Sequence, residues 1–80
     1  MNQTWLLVYL VIFDIGTTEK EIRFDLKFDD SRLCERYATG KDNKLYMIDK
    51  YQDKGIRMVY PGCETATRDT YLEYIKQKGI

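Results

Sequence analysis

The chain has no histidine, one proline, five glycines and two cysteines in 80 residues. It also lacks an excess of either charge, with 13 Lys and Arg against 13 Asp and Glu. Each shortage excludes something. Without histidine, the commonest general base and the commonest metal ligand are missing. Without clustered Lys and Arg there is little to displace counterions, so no strong nucleic-acid binding is expected. Two cysteines without a CxxC spacing make a poor zinc site, and no metal or cofactor is expected. Trp5–Phe13 is a nine-residue apolar run, about half of what a membrane-crossing helix needs, so no membrane partner is expected. Nor does the run read as a signal peptide. The first Lys is Lys20, and Phe13-Asp14-Ile15-Gly16 ends the run without a small-residue cleavage site. The expected location is the cytoplasm, where thiols are reduced by default.

What is present is a globular composition: 44% hydrophobic, 14% aromatic and 32% charged residues. Residues 1–80 are long enough for one small domain. Seven tyrosines are many for this length. Tyrosine packs as a half-buried amphipathic body, and it also anchors binding faces.

Thr4–Phe13 mixes β-branched and aromatic residues without a polar break, as a strand buried on both faces does. Asp14–Thr18 supplies turn chemistry around Gly16. From Glu21 to Phe28 the pattern alternates, with Ile22, Phe24, Leu26 and Phe28 on one face and Arg23, Asp25 and Lys27 on the other. That predicts a one-sided edge strand with a charged outer face. Asp29-Asp30-Ser31 reads as a helix start, with Glu35 within reach of a capping box. Leu33, Cys34, Tyr37 and Ala38 form its stripe. Thr39-Gly40 weakens the helix, and Asp42-Asn43 can cap a second piece carrying Leu45, Ile48 and Tyr51 up to Gly55. Leu45–Tyr51 also reads as a strand hairpinned to Ile56–Tyr60. That last strand should stop at Pro61-Gly62, and Thr65-Ala66-Thr67 opens a final helix carrying Tyr71, Leu72 and Ile75.

The expected fold is therefore α+β, in the order β-β-α-β-α. It has a three-stranded antiparallel or mixed sheet (order 2-1-3), a kinked helix on one face and a short C-terminal helix. A right-handed crossover puts the third strand beside the first. The same crossover brings Cys34 near Cys63. Closing that 29-residue separation would contribute roughly 3.6 kcal/mol. Of the first strand's two side-chain sets, Trp5, Leu7, Tyr9, Val11 and Phe13 form one, and Leu6, Val8, Leu10 and Ile12 the other. One of them needs a cover besides the long helix: the C-terminal helix or a partner chain.

Asp14-Ile15-Gly16-Thr17-Thr18 resembles the first phosphate-binding loop of the actin, sugar-kinase and chaperone ATPase superfamily. That superfamily encloses its nucleotide between two large lobes, for which 80 residues do not suffice. Val11–Ile15 is similar to the first strand of small CRISPR adaptation nucleases, which would imply a Mg-dependent nuclease using Asp14. Those proteins continue into a basic helix, whereas Glu21–Phe28 alternates as a strand. Residues Trp5–Val11, Phe28–Cys34 and Val59–Cys63 together resemble small accessory proteins of phages and prophages. These are viral proteins that include anti-CRISPR and other anti-defence inhibitors, in which two such cysteines can be paired.

The tyrosine excess and the shortage of catalytic groups point to a non-enzymatic protein-binding module. The phage resemblance implies an inhibitor that occludes a surface of a host protein or protein complex. Tyr46, Tyr51, Tyr71 and Tyr74 are the expected exposed anchors, with Arg57, Lys41 and Lys44 as rim charges. A structural homodimer, acting as a scaffold, is the alternative outside that class.

Overall fold

The computed structural model describes residues 3–52 and 54–77, with backbone alone at Tyr74 and Gln77. Its elements are β1 (Trp5–Phe13), β2 (Thr18–Phe28), α1 (Ser31–Ala38), α2 (Lys41–Tyr51), β3 (Ile56–Thr65) and α3 (Arg68–Gln77). The fold is α+β, with an antiparallel sheet in the order β2-β1-β3. The unbroken apolar run of β1 suits its central place, because residues of both of its side-chain sets are buried. Leu7, Tyr9 and Val11 are buried with Cys34, Ala38 and Tyr51 beneath α1 and α2. Leu6 and Val8 are buried with Ile22 on the other face, where Phe24 and Ala66 pack against them. Full burial of Leu6, Leu7 and Val11 stabilises the fold by roughly 2 kcal/mol each. The C-terminal helix covers only part of this second face: Leu10, Met58 and Tyr60 stay exposed.

The β2 strand departs from the one-sided strand that its alternation predicts. Opposite β1, Leu7 pairs with Arg23 but Trp5 pairs with Phe28, so residues 24–27 stand against Leu6 alone. Such a slip exchanges the faces of everything beyond it. Ile22 and Phe24 therefore pack on the second face, while Leu26 and Phe28 join the first. Arg23, paired with Leu7 ahead of the slip, lies beneath α2 and not in solvent, its side chain only 12% exposed.

The kinked helix is in fact two helices, and Leu45–Tyr51 is helical. Asp30 caps α1, accepting the Arg32 N–H at 2.8 Å. With the cap at Asp30, the capping-box position falls on Leu33, and Glu35 lies two residues too far. Thr39 ends α1, its N–H and its hydroxyl both donating to the Glu35 carbonyl at 3.1 Å. Gly40 follows as the cap of α2. A Cβ there would stand 3.3 Å from the carbonyl oxygens of Arg36 and Tyr37, a tight contact that a side chain would have to push open.

Strand β3 runs through Pro61-Gly62 to Thr65. It has a partner on one side only, and an edge strand tolerates a residue without an N–H. Its start is irregular: the register shifts between Ile12 and Phe13, leaving Arg57 unmatched. Near its end, Cys63 forms a disulfide with Cys34, with Cα atoms 6.2 Å apart. This bond fixes α1 to β3.

Candidate functional site

Helix α2 carries four of the seven residues expected to bind a partner, Lys41, Lys44, Tyr46 and Tyr51, and walls the groove of a fifth, Arg57, so its two sides decide what the surface is. Its inward stripe is Asn43, Tyr46, Met47 and Tyr51, not the Leu45–Ile48 stripe that apolarity suggests. Asn43 is fully buried. Its Oδ1 accepts from the Tyr9 hydroxyl, and its Nδ2 donates to the Ala38 carbonyl at 2.8 Å. One side chain thus ties α2 both to β1 and to the last turn of α1.

Around it lies a polar interior that consumes three tyrosines. Arg23 donates to Asp25 at 2.7 Å and to the Tyr9 hydroxyl at 3.3 Å. Its guanidinium stacks 3.7 Å from the Tyr46 ring centre, a cation–π contact strengthened by burial. The Tyr46 ring stacks on Tyr9 at 5.6 Å, and Tyr51 meets Tyr9 edge-on at 6.0 Å. The Tyr51 hydroxyl donates to Glu21 at 2.8 Å, and Lys50 closes the group against Glu21 at 3.1 Å. Among the described residues, every buried side-chain nitrogen and oxygen has a partner.

The electrostatics of this group are those of a structural network. Burial, then the Glu21 carboxylate, push the Tyr51 phenol far above its ordinary value. Burial also raises Tyr9, against the opposing pull of Arg23. Both shifts lead away from the range in which a phenol acts as base or nucleophile near neutrality. The hydrogen bond from Arg23 holds Asp25 below the ordinary carboxylate value. For Lys50, burial alone would lower the ammonium, but hydrogen bonds to Tyr46 and Glu21 outweigh it and raise it.

Of the expected anchors, Tyr51 is only 8% exposed and Tyr46 is half-buried, so neither is a free aromatic. The reason is the hairpin register, which sets Arg23 opposite Leu7 and Glu21 opposite Tyr9 under α2, where Arg23 stacks on the Tyr46 ring and Glu21 accepts from the Tyr51 hydroxyl. Tyr71 is exposed, but it lies on α3 at the opposite sheet face, its ring 5.2 Å from Phe24. The Tyr74 side chain lies outside the described residues. Lys41, Lys44 and Arg57 are exposed.

Two hollows flank α2. One, of about 480 Å³, lies at the α1–α2 junction, lined by Phe28, Leu33, Arg36, Tyr37, Gly40, Lys41 and Asp42. The other, of about 320 Å³, lies between α2 and β3. Met47, Ile48, Tyr51, Ile56 and Val59 form its apolar part, and Lys44 and Arg57 its charges. The structure thus brings Lys44, Tyr51 and Arg57 together and puts Lys41 in the neighbouring hollow.

No family model, curated protein or solved structure matches the chain.

The site therefore rests on its own geometry. Leu45 (54% exposed) and Ile48 (49%) form the apolar crest between the hollows, whereas the sequence reads them, with Tyr51, as the apolar residues of the second helical piece. The signal that would have found them is Asn43, whose burial turns the helix away from its apolar stripe. Asp14 sits in the exposed β1–β2 turn, its N–H donating to the Gly55 carbonyl at 2.9 Å. Among the described residues, no group of three or more His, Cys, Asp or Glu is arranged to hold a metal ion. No helix among them is long and apolar enough to cross a membrane.

Proposed function

We propose that this chain is a non-catalytic protein-binding module whose docking surface is centred on the outward side of α2. One observation carries the reading: Leu45 and Ile48 stand exposed between two apolar hollows rimmed by Lys41, Lys44 and Arg57. Exposed aliphatic residues ringed by charge have the make-up of an interface core and rim. The layout resemblance to phage accessory proteins extends this to a purpose, that of occluding a surface on a host protein complex. A photo-cross-linking amino acid at position 45 tests the binding reading in cells that naturally produce the chain. A discrete cross-linked protein is expected from position 45 and none from position 15 at the exposed hairpin tip. Cross-linking that is diffuse, or equal from both positions, sinks the reading.

A second reading, a structural homodimer, draws on a different observation. Leu10, Met58 and Tyr60 stand exposed on the second sheet face, and a second copy would cover them. Light scattering after size exclusion separates the two: a mass of 9.6 kDa at micromolar concentration removes the dimer.

A further inference from the structure

The groove between α2 and β3 differs in its charge from the α1–α2 hollow and from a depression on the second sheet face. Of its nine lining residues among the described ones, two are cations, Lys44 and Arg57, and none of the nine is a carboxylate. Neither cation has an ion pair or hydrogen bond among the described residues. The cations bordering the interior are engaged: Arg23 with Asp25, Lys50 with Glu21 and Lys20 with Glu64. The hollow at the α1–α2 junction contains Asp42 beside its cations, and the depression on the second face contains Glu64 beside Lys20.

Resting on the binding reading above, we propose that this groove docks an acidic segment of a partner protein, with one bulky apolar side chain between carboxylates. The anchor fits against Met47, Ile48, Ile56 and Val59, where methionine adapts its shape to the guest. Carboxylates on either side of the anchor meet Lys44 on the helix wall and Arg57 on the strand wall.

Other occupants fit less well. A second copy using the same patch across a two-fold axis would set Lys44 and Arg57 against their own images. Strand addition along β3 is interrupted near its start by the irregular pairing at Arg57 and in its middle by Pro61, two devices that blunt an edge. Two cations are too few to hold a nucleic-acid backbone, which needs several phosphate contacts.

The test is fluorescence anisotropy with the full chain and three labelled peptides of about nine residues. One carries a central Leu flanked by Asp and Glu, one replaces that Leu with Ala, and one flanks Leu with Lys. Saturable binding of the acidic Leu peptide is expected, with the other two weaker by roughly tenfold or more. The double variant Lys44→Glu, Arg57→Glu should invert the preference toward the Lys-flanked peptide. Both positions are exposed, and an unchanged circular dichroism spectrum confirms folding. Added salt should weaken the acidic peptide's binding to the unaltered chain, which tests the charge argument without any variant. Equal binding of all three peptides, no binding at all, or an unchanged preference in the variant overturns the proposal. Cross-linking at position 45 without peptide binding would overturn this inference alone and leave the binding reading standing.

Discussion

Asn43 shows how one polar residue redirects a surface. Its amide satisfies the Tyr9 hydroxyl and the Ala38 carbonyl inside the protein, so replacing it by alanine strands two buried polar groups. Asn43→Ala should cost roughly 2–4 kcal/mol, measured by urea denaturation, and a loss under about 0.5 kcal/mol would contradict the network. The phenols on either side make a pH prediction. Tyr9 and Tyr51 both have folded values raised above the ordinary 10.0. The unfolded chain therefore loses these protons first, so the stability they contribute is intact below about pH 10 and is lost as pH rises beyond it. Two of the seven tyrosines should withhold their phenolate absorbance until the protein unfolds in alkali. Asp25 acts at the opposite end. Held below 3.8 by Arg23, it contributes stability above about pH 4 that disappears as the solution becomes more acidic. Asp25→Asn should flatten that part of the unfolding profile.

Secondary structure was legible where one local pattern governed, and obscure where a partner overrode it. The apolar run of β1 announced a central strand, and the crossover argument put β3 beside it and Cys34 next to Cys63. The faces of β2 could not be read, because strict alternation from Glu21 to Phe28 contains no sign that four residues will oppose Leu6. Only the pairing with β1 reveals the slip. Helix α2 was misread for a related reason: its buried stripe includes a polar Asn43, and its exposed side includes Leu45 and Ile48. With that rotation went the anchors, since Tyr46 and Tyr51 turned inward while the rim cations stayed outside. The slip can be tested at Phe28, whose ring it sets 5.6 Å from that of Tyr37 on the first face. Phe28→Ala should cost about 2 kcal/mol and lower the melting temperature by roughly 10 °C. An unchanged melting temperature would mean that Phe28 does not pack on that face.

For the molecule as a whole, the disulfide sets the margin. Replacing Cys34 and Cys63 together by serine should lower stability by roughly 3–4 kcal/mol, as release of a 29-residue separation implies, read as a fall in the urea midpoint. A smaller loss would assign the α1–β3 contact to packing alone. The same bond also decides which parts of the chain travel together. Everything from residue 34 to residue 63 belongs to one covalent ring, and that ring contains both walls of the α2–β3 groove. A protease that nicks the exposed stretch after Lys54 would therefore yield two fragments that migrate as one until a reductant is added. Fraying of α3 or of the start of β1 would leave the ring closed, so the groove is the part of the molecule best insulated from damage at the two chain ends.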